Sequence, residues 1–543
     1  MSAPSDDGLL LAGGLVVDGT GAPGRVADVL VHHGWVREVE PGAAGPRRVR
    51  DVTGLVVAPG FVDIHTHSDL TLLSDPRALS KVHQGVTTEV VGNCGLGVAP
   101  LPEGADRAAI RRAVSYLDLD PGVDWSWRDF PGYLAALARD EPAGGPGGAK
   151  TGVGGLGVNV AALVGHLVLH AAVCGFADRA AGRDELDRMS GLLRDALDAG
   201  AVGLSTGLAY APLPYARPEE LVALGTVTAR AGKVFTWHVR SYEDDLLDSV
   251  RQAVGVARAT GCRTQISHLC AVGRRNWGAV NRALELVDAA NAEGLSVGVD
   301  IYPYLHGNAP LAQLLPAWAQ EGGTDAWTAR LRDPAVRAAI REEWRDRPTT
   351  WDDISIAWTP GVRPGSADER IGRTVGQLAR ARDVSADEVA LDLLAELGTG
   401  VLMTAGGRSE DDLLAVLAHP AAVVASDGLS LDPGGVTGAG MPHPRSYGCF
   451  PRYLGRYAGD LPDAIRRCTS APAARVGLTD RGVLRPGAPA DIVVFDPARI
   501  RDTATFEAPH RFADGIDLVL VNGVVTVDRG RHTGARAGRI LRT

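Results

Sequence analysis

Lysine is almost missing from this chain. Of 543 residues only Lys81, Lys150 and Lys233 are lysine, against 52 arginines. Cysteine is scarce too. The six, at 94, 174, 262, 270, 449 and 468, form no close pairs. That implies no disulfide scaffold and points to a reducing compartment, so a cytoplasmic location is expected. The opening MSAPSDDGLLLAGG has no basic segment ahead of an apolar core, and no signal peptide is expected. Apolar stretches are short and glycine-broken, so none approaches the roughly 20 residues of a membrane span. The net charge of −10 with mixed signs leaves nucleic acid without a basic surface to bind. The run EPAGGPGGAKTGVGGLG at 141–157 holds Lys150, but no helix start follows it. It reads as a flexible loop, not a phosphate cradle.

What is present points to a globular protein of more than one unit. Hydrophobic residues make up 45%, and 543 residues exceed one ordinary core. Residues 1–60 and 481–543 both read as short strands with turns, such as ADVLV at 27–31 and ADIVVF at 490–495. Neither end has enough strands for its own core, so the two are expected to join in one small β-sandwich domain. Between them, residues 61–480 alternate apolar strands with helical periods. The candidate strands are 61–65, 87–92, 159–165, 201–205, 234–239, 263–267, 295–301 and 421–426. Eight strands with intervening helices predict an α/β fold, a (β/α)8 barrel of the TIM type. Residues 306–420, with Trp318, Trp327, Trp344, Trp351 and Trp358, exceed what one crossover needs. They predict a helical insertion over one face late in the barrel.

Polar groups recur where these strands end. VDIHTH at 62–67 gives Asp63, His65 and His67, the two histidines on one side of an extended chain. GNCG gives Cys94, LVGH gives His166, TWHVR gives His238, QISHLC gives His268 and ASDG gives Asp427. Strand C-termini of a barrel converge on one face. A lone buried histidine is usually a satisfied core residue, but five with a cysteine and an aspartate predict a metal site. The mixture of imidazole, thiolate and carboxylate favours zinc over magnesium or calcium. Cys94, His238 and His268 are expected to hold the principal Zn2+. His65, His67 and Asp427 surround a second position, weakly occupied or empty, with Cys94 placed to touch both.

These motifs carry a family likeness. APGFVDIHTHSD at 58–69, GVTTEVVGNCG at 85–95, NVAALVGH at 159–166, GLSTGLAY at 203–210, HVRSY at 238–242, QISHL at 265–269, DIYPY at 300–304, ASDG at 425–428 and GAPADIVVFDP at 487–497 run in order along the chain. With them the chain resembles the metal-dependent amidohydrolase superfamily, and within it the D-aminoacylases, or N-acyl-D-amino-acid deacylases. The resemblance implies a barrel with a small β domain, a cysteine-bridged zinc set at Cys94, His238 and His268, and a second set at His65, His67 and Asp427. Many superfamily members bridge two metals with a carboxylated lysine, but none of the three lysines here ends a relevant strand.

The expected reaction is hydrolysis of an N-acyl-D-amino acid, a small-molecule amide, to a D-amino acid and a carboxylate. Asp427 is the expected general base. His166 or Tyr210 is expected to donate to the developing oxyanion. Asp63 is expected to orient a ligand histidine. Arg445 is expected to grip the substrate carboxylate, and the resemblance adds Tyr210 and Tyr304. Two features depart from the family pattern. Cys270 stands where a carboxylate-binding lysine is usual, and Leu305-His306-Gly307-Asn308-Ala309-Pro310 replaces a stretch rich in serine and threonine. Arg274 or Arg275 is a candidate to compensate. The residues leave open another amide of the same chemistry (a dipeptide, a cyclic amide or imide, an acylated metabolite) and a non-catalytic metal-binding protein.

Overall fold

The structure, a computed structural model, describes residues 8–43, 48–138, 155–366 and 368–543. Most of the glycine-rich run at 141–157 lies outside the described residues. At the centre is an eight-stranded parallel sheet. Its strands are β1 (Phe61–Asp63), β2 (Val86–Val91), β3 (Asn159–Gly165), β4 (Gly203–Gly207), β5 (Val234–His238), β6 (Arg263–Ile266), β7 (Val297–Ile301) and β8 (Ala422–Val424). They neighbour one another in sequence order. A bridge from Thr66, just past β1, to Gly428, just past β8, brings the two edges together. Helices cover the outside, so every residue of β1 to β5 is buried. That burial is why these strands read as unbroken apolar runs rather than alternating ones.

The helices show the opposite pattern. Arg183–Asp198 buries Met189, Leu193, Ala196 and Leu197, one stripe at helical spacing, and leaves a charged face to water. Pro218–Arg230 opens on its proline, where the missing N–H costs no helical bond.

Both termini enter one mixed sheet of nine strands, where the sequence suggested a sandwich. Val56–Pro59 pairs parallel with Leu9–Val16 on one side and antiparallel with Ile492–Phe495 on the other. The second pairing joins residues more than 430 positions apart. Ala27, Val29 and Val31 alternate inward along Arg25–His32, as a sheet with one buried face requires.

The segment between β7 and β8 is not purely helical. Gly307–Pro310, Ile354–Trp358 and Leu402–Ala405 form a three-stranded antiparallel sheet. It packs with helices around a separate core that includes Trp327, Ile340, Leu394 and Met403. Three four- or five-residue strands, far apart in sequence, carry too short a period to be told from helix or loop.

Candidate metal centre

β1 ends at Asp63, yet the pleat carries on through the Thr66 bridge. The Thr66 N–H bonds the Val90 carbonyl, the His67 N–H bonds the Gly428 carbonyl, and the Asp427 N–H bonds the His65 carbonyl. His65 and His67 therefore flank a held residue and face the same way. His67 Nε2 lies 3.0 Å and His65 Nε2 3.3 Å from Asp427 Oδ1.

The backbone is strained where the other donors sit. Cys94, His268 and Asp427 all have positive φ, at 55°, 36° and 50°. L-residues rarely adopt this region, and such strain collects at functional sites. Glycines make the room at Cys94. A Cβ on Gly207 would stand 1.9 Å from the Cys94 carbonyl oxygen, and one on Gly165 would stand 2.1 Å from the Gly97 nitrogen. The thiol is thus buried in the barrel mouth, with Sγ 3.2 Å from His65 Nε2 and 3.5 Å from His268 Nε2. His238 Nδ1 is 3.2 Å from His268 Nε2.

These donor atoms fit a zinc ion. Zinc–nitrogen and zinc–sulfur bonds of roughly 2.0–2.1 and 2.3 Å place tetrahedral ligand atoms about 3.3–3.6 Å apart. The 3.2 and 3.5 Å separations within Cys94, His238 and His268 match that spacing. The ligand atoms of His65, His67, Cys94 and Asp427 all lie within 4.8 Å of one another. With burial the largest cause, the Cys94 thiol is pushed up to about 11 and the His238 imidazole down to about 3. A cation held among them would supply the charge that makes a thiolate and neutral imidazoles the stable forms.

Asp300 orients the cluster, a role the sequence had suggested for Asp63. Asp300 Oδ1 lies 3.2 Å from His65 Nδ1 and accepts the His268 N–H at 2.8 Å. Its other oxygen accepts from Gln265 at 3.2 Å. With Nδ1 held, His65 turns Nε2 to the centre. Asp63 is committed below the site. It accepts from Lys81 Nζ at 2.9 Å and from the Ser426 N–H at 2.9 Å. Lys81 also reaches Glu89 at 3.2 Å, so this lysine serves a buried ion network.

Asp427 is held ionised. Burial opposes its charge, but Arg445, His65, His268 and a hydrogen bond from His67 together keep the carboxyl well below its usual range. Arg445 Nη1 pairs with Asp427 Oδ2 at 2.7 Å, and Nη2 approaches the Tyr116 hydroxyl at 3.3 Å.

Above this floor opens a cavity of about 430 Å³. His67, Cys94, His238, His268 and Asp427 line it, with Tyr116, Tyr210 and Tyr302 on the barrel side. Gly307, Asn308, Met403 and Arg408 of the insertion close another wall.

Several expected residues lie elsewhere. His166 does not line this cavity. Its Nε2 is 2.6 Å from Glu220 Oε1, and His170 Nδ1 meets the same oxygen at 2.7 Å. Those contacts are hydrogen bonds, too short for two ligands sharing an ion. Tyr304 turns away, its hydroxyl 3.2 Å from Asp502 Oδ2, and the cavity takes Tyr302, two residues earlier. The chain bends at Pro303, between the two, so they do not share a face as i and i+2 of a straight strand would. Arg274 is exposed and stacks on Trp277, 4.8 Å from its ring, while Arg275 pairs with Asp244 and Asp346. Cys270 is buried under the wall, beside Arg408. Arg445 is buried behind Asp427, off the cavity surface. Asp300, Tyr116 and Arg408 went unremarked in the sequence. Asp300 alone had a signal, a carboxylate ending a buried strand like the others.

Comparisons with known proteins agree with this geometry. The profile of the Amidohydrolase family matches residues 48–527. A D-aminoacylase from Alcaligenes xylosoxydans xylosoxydans is 35% identical over 547 residues, 99% of this chain and 98% of that one. An N-acyl-D-aspartate deacylase from the same organism is 34% identical over 548 residues, 99% of this chain and 96% of that one. The solved structure of an N-acyl-D-glutamate deacylase from Bordetella bronchiseptica superposes with a TM-score of 0.81 at 33% identity, over 99% of this chain and all of that one. That structure holds zinc and a phosphonate that mimics the tetrahedral intermediate of the reaction.

Proposed function

The chain belongs to the amidohydrolase family, and from that premise we propose that it is a zinc-dependent N-acyl-D-amino-acid deacylase, releasing a D-amino acid and a carboxylate. One observation carries this reading. An ionised carboxylate, a thiol and four imidazoles converge on the floor of a cavity large enough for a small amide. Of the three relatives above, one is a D-aminoacylase and the other two are deacylases of N-acyl-D-aspartate and N-acyl-D-glutamate.

Cys94, His238 and His268 would hold the principal zinc, with His65, His67 and Asp427 around a second, weaker position. When bound, zinc acidifies water and polarises a carbonyl. The chain's own residues do the rest. Asp427 takes a proton from the attacking water and returns it to the leaving nitrogen. Arg445 fixes the Asp427 carboxylate through Oδ2 and leaves Oδ1 facing the histidines. Tyr210, whose ring lies 4.8 Å from His238, is the hydroxyl proposed to donate to the carbonyl oxygen, in place of His166. The insertion wall shields the amide from bulk water.

Six unbridged cysteines support a cytoplasmic location, and no described helix is long and apolar enough to cross a membrane. The test is release of free amine from paired N-acyl-D- and N-acyl-L-amino acids by the zinc-loaded protein. Turnover of D-forms alone is expected. A protein that binds zinc and leaves every member intact would refute the substrate assignment.

A further inference from the structure

Arg408 sits on the loop just after the insertion strand Leu402–Ala405. It lines the large cavity and also a small hollow walled by Cys270, Tyr304 and Asp412. Its guanidinium carbon lies 4.9 Å from the centre of the Tyr302 ring, and that of Arg445 lies 4.5 Å from the same ring.

The two cations share one aromatic residue but differ in what balances them. Arg445 has Asp427 at 2.7 Å. Arg408 has no carboxylate within salt-bridge reach among the described residues, and its buried Nη1 has no hydrogen-bond partner. The groups that favour its charge are the thiol of Cys270 and the phenol of Tyr302, both neutral near pH 7. A guanidinium does not shed its proton, so burying one without an anion is costly. The chain nevertheless makes room for it. A Cβ on Gly307 would stand 2.8 Å from Arg408 Nη2.

Two other arginines line the wall. Arg240 donates to the Pro214 carbonyl at 2.8 Å. Arg347 stacks on Trp351 at 3.9 Å, with Glu243 near enough to favour its charge. Arg347 also leaves Nε and Nη1 without a hydrogen-bond partner, but of these three arginines Arg408 is the one whose charge bears on His238 and His268.

We infer that Arg408 is the anchor for the substrate's free carboxylate, and that Arg445 serves Asp427 instead. The inference rests on the deacylase reading, which supplies a substrate with one carboxylate beside the scissile amide. A planar guanidinium with an open edge suits a carboxylate through two parallel hydrogen bonds. Neutral Cys270 beside it then leaves Arg408 as the cation on that side of the cavity.

The test compares wild type, Arg408→Met and Arg408→Lys on N-acetyl-D-methionine and on its primary amide, which lacks the carboxylate. Binding of the acid is measured separately by calorimetry, and zinc content and unfolding midpoint are checked for each protein. Arg408→Met is expected to raise KM for the acid at least tenfold and to leave kcat/KM for the amide within about threefold. Arg408→Lys is expected to recover part of the loss. Equal changes for acid and amide, or none for either, would overturn the inference while wild-type turnover upholds the deacylase reading. Arg408-dependent binding of the acid without turnover would uphold the inference and sink that reading. A wild-type protein that neither binds nor turns over the acid would overturn both.

Discussion

Two buried clusters of histidine and carboxylate lie in this barrel, and they are built for different ends. In one, His65, His67, His238 and His268 join Cys94 and Asp427. In the other, His166 and His170 close on Glu220. Residue types and burial are nearly the same. The difference is in spacing and access. Glu220 Oε1 receives two ring nitrogens at 2.6 and 2.7 Å, where donor meets acceptor and nothing more fits. In the first cluster nitrogen faces nitrogen at 3.2 Å and sulfur faces nitrogen at 3.5 Å, pairings that make sense around a cation. The first cluster also sits at three strained residues and opens to a cavity. The second ties the helix His166–Cys174 to the helix Pro218–Arg230. Composition proposes metal sites, and donor geometry selects among them.

Substitutions should separate the two clusters sharply. Cys94→Ser or His268→Ala removes a ligand of the closest-fitting set. Zinc content by mass spectrometry should fall well below one per chain, and turnover by about a thousandfold, or ~4 kcal/mol of transition-state stabilisation. Retention of full zinc and activity would move the principal site elsewhere. Asp427→Asn should keep that zinc and lose about 10²–10⁴ in kcat, because the proton acceptor is gone. Asp300→Asn acts one contact further out. Competition with a chelator should show zinc affinity reduced about 10–100-fold, with a smaller loss of activity at saturating zinc.

The second cluster should answer in stability instead. Burial raises the Glu220 carboxyl, but hydrogen bonds from His166 and His170 outweigh it and bring it down to about 2 from an ordinary 4.5. A depressed carboxyl stabilises the fold fully above its unfolded value and loses that contribution as pH falls through 4.5 towards 2. Glu220→Gln should therefore cost roughly 3 kcal/mol in denaturant unfolding near neutral pH. The deficit should narrow as the pH is lowered below about 4.5, with zinc content unchanged throughout. Loss of zinc in this variant would make the second cluster part of the metal machinery.

Much of this protein was legible before any coordinates. Near-continuous apolar runs, each ending in a polar group, located the barrel strands to within about two residues, because a strand buried on both faces tolerates little else. The same runs pointed to Cys94, His238, His268, His65, His67 and Asp427, which the structure brings together, and the scarcity of lysine argued against a lysine bridge. Asp63 and Asp300 show where that logic stops. Both are buried aspartates in barrel strands, and only three-dimensional neighbours decide that one meets Lys81 and the other His65. His166 ends a strand as His238 does, yet Glu220, 54 positions on, takes its ring nitrogen. Tyr302 and Tyr304 are separated by the turn of the chain, which a motif does not record.

By itself the sequence determined the α/β barrel, the shared sheet of the two termini and the set of donors, since burial, periodicity and residue chemistry are local properties. Tertiary structure alone decided which donors meet, which carboxylate steadies them, and that a charge absent at Cys270 is present next to it on Arg408, 138 positions away in the chain. Those facts depend on distances between strand ends and an insertion folded over them, and no spacing along the chain encodes such a distance.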